Sequence, residues 1–109
     1  MALEISYLDK RLRDICRKEA VAKRLSPESV VLELRTRLDD IEAADCLDDL
    51  PDIYDVVSHS PPGELVMYLV DSYYMRFCQV DLEPELTEEG FVDWPNVRRI
   101  KLMEIYKND

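Results

Sequence analysis

At 109 residues with 47% hydrophobic side chains and a formal charge of −10, the chain is long enough to bury one core and too short for two. Its apolar runs fall far short of the roughly 18 residues of a membrane span, and Met1-Ala2-Leu3-Glu4-Ile5 has neither the cationic start nor the long apolar stretch of a secretory leader. The expectation is a single cytoplasmic domain over residues 1–109.

Leu3-Glu4-Ile5-Ser6-Tyr7 alternates and predicts a short first strand. Leu8, Leu12, Ile15, Cys16, Ala22 and Leu25 recur near one face of a helix running from about Leu8 or Asp9 to Leu25. Ser26-Pro27 marks a boundary, with Ser as N-cap, Pro preset for the first helical position and Glu28 favourable at the positive end of the dipole. Val30, Leu34, Leu38 and Ile41 form the apolar stripe of a second helix, with Glu33 and Arg37 a supporting pair on its flank. The two helices are expected to pack as an antiparallel pair. Cys46-Leu47-Asp48-Asp49-Leu50 reads as a short turn stopped by Pro51, and Tyr54 to His59 as a strand closed by the break Pro61-Pro62-Gly63. Glu64–Val70 and Tyr73–Val80 are two further strands joined by a turn that lacks an Asn-Gly or Asp-Gly pair. Leu82 to Gly90, with five Glu or Pro in nine residues, reads as a flexible insertion, and a last strand spans about Val97 to Tyr106. The expected fold is α+β, with two N-terminal amphipathic helices on one face of a small, mainly antiparallel sheet.

Strand alternation sets Leu65, Met67, Leu69, Met75 and Phe77 toward the helices, and Glu64, Val66, Tyr68, Tyr74, Arg76 and Cys78 on the opposite face. The phase of the last strand stays open, because Ile100 and Leu102 share one parity while Arg99, Lys101, Met103 and Ile105 share the other. Charge is unevenly spread. Residues 1–37 hold nine basic and six acidic side chains, residues 38–96 one and sixteen, and residues 97–109 four and two. A basic face from the first helix and last strand, or an acidic surface for a basic partner, both fit that distribution.

Catalytic patterns are few. Two glycines leave no phosphate-cradling loop, and no Ser-His-Asp, metal-ligand or calcium-loop spacing can be assembled. Cys16, Cys46 and Cys78 are far apart, without CxxC spacing, and read as small apolar side chains in a reducing compartment. No cofactor or metal is expected. His59, the single histidine, belongs to the residue type that changes protonation near neutral pH.

The order of elements and the ending Val97, Ile100, Leu102, Glu104, Ile105, preceded by Gly90 and Asp93-Trp94, resemble the HigB-type killer toxins of the RelE/ParE superfamily. That resemblance implies the toxin of a type II toxin–antitoxin module, held silent in a hetero-oligomer by a helix-turn-helix antitoxin. It also implies ribosome-dependent cleavage of mRNA, with the ribosome and mRNA as partners. Such cleavage needs a base, an acid and positive charge for the phosphorane. Arg76, Tyr74, Lys101 and His59 are the catalytic candidates, and Lys23, Arg98, Arg99 and Lys107 the candidates for gripping RNA phosphates. The family's His and Lys before the glycine fall on Asp55 and Ser58, its aromatic-Arg dipeptide on Tyr74-Met75, and its terminal Asp-Tyr-His on Lys107-Asn108-Asp109. A toxin-fold protein that acts by binding, as ParE-type members do against gyrase, and an unrelated α+β interaction module are the other expectations.

Overall fold

A computed structural model describes residues 3–50, 54–60, 62–81 and 86–108. In chain order it contains β1 (Glu4–Tyr7), α1 (Lys10–Arg17), α2 (Glu19–Leu25), α3 (Glu28–Ala43), β2 (Tyr54–Ser58), β3 (Glu64–Tyr68), β4 (Tyr73–Gln79) and β5 (Arg99–Lys107). Two 3-10 turns, Leu47–Asp49 and Trp94–Asn96, complete it. The strands form one open sheet in the order β1-β5-β4-β3-β2, antiparallel throughout except for the parallel pair β1–β5. The fold is α+β, as expected.

The core is where the periodic residues meet. Leu12, Ile15 and Cys16 of α1 and Val30, Leu34, Leu38 and Ile41 of α3 are buried in one cluster with Leu65, Met67, Met75, Phe77, Ile100 and Leu102 of the sheet. Each such side chain contributes about 1.5–3 kcal/mol by leaving water. Polar contacts tie α3 along the sheet. Ser29 Oγ donates to Asp71 Oδ2 at 2.6 Å, Arg37 Nε to the Tyr68 carbonyl at 3.5 Å, and the Leu3 N–H to the Ala44 carbonyl at 2.7 Å. The Ser29 contact holds a turn that needs holding. Asp71 and Ser72 have φ of 54° and 66°, the left-handed pair of a tight hairpin turn that Asn-Gly would adopt with less strain.

Three expectations are corrected. The first helix is broken in two, because Lys18 is extended at φ −120° and ψ 105°. Its N–H donates to the Asp14 carbonyl at 2.8 Å while its own carbonyl accepts from Val21 and Ala22, so one residue ends α1 and starts α2. The break lets α1 bury Leu12, Ile15 and Cys16 while α2 buries only Ala22; Leu8 and Leu25, expected on the apolar face, are 48% and 51% exposed. Ser26 does not cap α3. It closes α2 by donating its N–H to the Ala22 carbonyl, and Pro27 takes the N-cap position with its carbonyl accepting from Val31. A residue before proline is pushed to extended backbone, which suits the end of a helix. Residues 86–92 are ordered as a small hairpin rather than an irregular insertion. Leu86 pairs with Val92, and Gly90, at φ 82°, closes the turn with its N–H on the Thr87 carbonyl. The rest of the expected insertion, residues 82–85, lies outside the described residues, as do Pro51 and Pro61.

Gly63 ends the predicted break with φ 72°, and a Cβ there would lie 2.7 Å from Cζ2 of buried Trp94. A glycine is therefore required twice over, by backbone and by space.

Candidate functional site: the open face of the sheet

With the helices on one side, the other side of β3, β4 and β5 is open, and the hairpin register sorts its side chains into rows. Val66 lies opposite Arg76 and Arg76 opposite Glu104; Tyr68 lies opposite Tyr74 and Tyr74 opposite Tyr106; Glu64 lies opposite Cys78 and Cys78 opposite Lys101. The phase of β5 is settled by a bulge. Arg76 pairs with Glu104 but the next residue, Phe77, pairs with Leu102, so Met103 is the extra residue. Parity switches there. Ile100 and Leu102 are wholly buried before it and Ile105 packs against the core after it, while Lys101, Glu104 and Tyr106 share the open face.

Arg76 occupies the centre. Its Nη1 donates to Glu64 Oε1 at 3.1 Å and its Nη2 to Glu104 Oε2 at 3.3 Å, a fork across three strands. Two carboxylates on one guanidinium leave the cluster with excess negative charge. Beside it the tyrosines form a continuous row, with ring centroids 5.5 Å apart for Tyr68–Tyr74 and 5.6 Å for the stacked pair Tyr74–Tyr106. Tyr68 is half exposed, so the row presents aromatic surface to solvent. On the far side, burial raises the Cys78 thiol above its ordinary value, and the Lys101 ammonium opposes that rise. The thiol is therefore neutral at neutral pH and is not an activated nucleophile.

Of the eight residues singled out from sequence, Arg76, Tyr74, Lys101 and Arg99 come together on this face. Arg99 is engaged by Glu4 at 3.1 Å, whereas Lys101 has no ion pair among the described residues. The other four lie elsewhere. His59 follows β2, with its ring 5.9 Å from that of Phe91 and its carbonyl accepting from the Val92 N–H. Lys23 is on α2, paired with Glu19 at 3.2 Å. Arg98 precedes β5 and is exposed, with its backbone N–H on Asp81. Lys107 lies over the Tyr73 ring at 6.0 Å, past the covered side of the sheet. The groups bonded to Arg76 are thus the carboxylates of Glu64 and Glu104.

Sequence reasoning missed Glu104 and Tyr106. Straight alternation from Ile100 and Leu102 would turn Glu104 into the core, an arrangement that costs far more than a bulge. The signal was the clash itself, since Ile105 and Glu104 could both be placed well only if parity changed between Leu102 and Glu104. Among the described residues no group of three or more His, Cys, Asp or Glu side chains is placed to hold a metal ion, and no helix is long and apolar enough to cross a membrane. Set against protein-family models, curated proteins and solved structures, the chain matches none of them.

Proposed function

We propose that the chain is the toxin of a type II toxin–antitoxin module, of the RelE/ParE kind, and that it acts by gripping a protein through its open sheet face. The resemblance in the last strand supports the toxin reading, with a helix-turn-helix antitoxin as its silencing partner. The observation that carries the binding mode is the Arg76 fork. A phosphorane needs positive charge that the site has not already spent, and here the central guanidinium is matched by Glu64 and Glu104 on a chain of net charge −10. A row of three tyrosines beside an acidic cluster suits a protein surface carrying Arg or Lys, because aromatic rings supply contact area and cation contacts together.

Induction of the chain alone should arrest growth with mRNA intact, and co-expression of a neighbouring helix-turn-helix protein should relieve the arrest. Tyr74→Ala combined with Tyr106→Ala should abolish the arrest while the far-ultraviolet circular dichroism stays that of wild type. Harmless expression of the wild type would end the toxin reading.

A ribosome-dependent endoribonuclease is the second reading, favoured by one observation. Tyr74 and Arg76 lie two residues apart on the same open face, so a base stacked on the tyrosines would bring its phosphate near the guanidinium. Under that reading mRNA is cut on ribosomes, and Arg76→Ala lowers the cleavage rate by about 100-fold to 1,000-fold.

A further inference from the structure

The parallel strand β1 is an edge, and half of its backbone is spoken for. The Glu4 N–H donates to the Arg98 carbonyl at 2.8 Å and the Leu8 N–H to the Leu102 carbonyl at 3.0 Å, so even-numbered residues face β5. Alternation then turns the N–H and C=O groups of Ile5 and Tyr7 outward. At Leu3 the outward N–H is met by the Ala44 carbonyl, but the N–H groups of Ile5 and Tyr7 have no partner among the described residues. An edge of this kind is a template for another strand unless something covers it.

What lies over it is a concavity rather than a cover. Ile5, Ser6 and Tyr7 form one wall of a hollow of about 480 Å³, and Lys10, Arg13 and Arg17 of α1 form the other. Those three cations recur at helical spacing on one side of α1. Asp9 is the acidic residue in the same hollow, and its carboxylate already accepts from the Leu12 N–H at 2.9 Å. A second hollow of about 230 Å³ continues from Ile5 and Tyr7 past Arg17 to Arg35 and Glu42. The walls of the two hollows therefore hold four cations and two carboxylates, on a molecule that carries ten excess negative charges.

We propose that the outer edge of β1 takes an extended, acidic segment of a partner protein as a sixth strand. The free groups of Ile5 and Tyr7 supply the main-chain hydrogen bonds, and Lys10, Arg13 and Arg17 meet carboxylates on the segment. Charge selects this occupant. A second copy paired edge to edge would set two rows of cations against each other, and nucleic acid would leave the backbone groups unmatched. The inference does not depend on the toxin reading, since it rests on the β1 edge and not on the open face of the sheet.

Fluorescence anisotropy with the wild-type chain tests it. The probe is a labelled nine-residue peptide alternating Val and Glu; one control replaces its central Val residues with Pro, removing main-chain donors, and another replaces Glu with Lys. The Val–Glu peptide should bind with a dissociation constant below about 1 mM, more weakly at high salt, and each control should bind at least about tenfold more weakly. Lys10→Glu with Arg13→Glu should lose at least about tenfold in affinity with an unchanged melting curve. If that variant fails to fold, the two peptide controls still decide. Absence of binding, equal binding of the Pro peptide, or displacement of the probe by a lower concentration of oligouridylate would overturn the proposal.

Discussion

The two faces of the central strands are made from alternate residues of the same segments, yet they obey different physics. On the covered face Leu65, Met67, Met75, Phe77, Ile100 and Leu102 are wholly buried, and their contribution scales with area and packing. On the open face Arg76, Glu64 and Glu104 keep 30%, 41% and 51% of their side-chain surface, so water screens what they do to one another. Stability and specificity are thereby separated by a period of two. The covered face fixes where the strands are, and the open face can change its chemistry at little cost to the fold.

The largest effect should come from the covered face. Phe77→Ala should lower stability by about 3–5 kcal/mol in urea unfolding, since a wholly buried aromatic leaves a cavity between rigid neighbours. A loss below about 1 kcal/mol would mean that the layer collapses to fill the space and that the division between faces is overstated.

Cys16 gives the next largest effect, and only at high pH. Burial holds its thiol up at about 12 against 9.0 for the free group, so the native state keeps it neutral where the unfolded chain would ionise it. That contribution is whole below about pH 9 and is lost as pH climbs toward about 12. Between about pH 8 and about pH 10.5 wild type should lose up to about 2 kcal/mol more than Cys16→Ala, measured by the two unfolding midpoints. Iodoacetamide should leave Cys16 unmodified in the folded protein.

Deletion of Met103 probes the boundary between the faces. Without the bulge residue, Leu102, Glu104, Ile105 and Tyr106 alternate regularly and keep their present sides, so the loss should be about 1 kcal/mol with the fold retained by circular dichroism. Unfolding on deletion would show that the bulge sets strand twist as well as parity. The smallest effect on stability belongs to Arg76→Ala, under about 1 kcal/mol, because both carboxylates it leaves behind are open to solvent. Its effect on growth arrest is the informative readout.

Much of this was legible where period and burial agree. The stripe Val30, Leu34, Leu38, Ile41 and the inward set Leu65, Met67, Met75, Phe77 are all buried, because each is a long run with one consistent phase. The break at Lys18 was not legible. No Pro or Gly announces it, and it arises from the different surfaces that α1 and α2 must pack against rather than from local preference. The site was half readable for the same reason. Arg76 and Tyr74 follow from the phase of β4, but their partners Glu104 and Tyr106 lie beyond a bulge that no single-strand pattern can place.

The position of β5 has a consequence for how the chain comes to be folded during synthesis. It is the latest of the five strands to leave the ribosome, yet it lies between β1, the earliest, and β4. Until it emerges, β1 has no neighbour in the sheet, and Ile100 and Leu102 cannot close the space over Phe77 and Met75. Pairing across the whole length of a chain is slow, because the intervening loop must first be closed. The nascent sheet is thus held open until β5 has left the ribosome. A chain cut short before Arg99 would lose the second strand of the order and strand the first, which makes premature release a route to aggregation rather than to a smaller folded product.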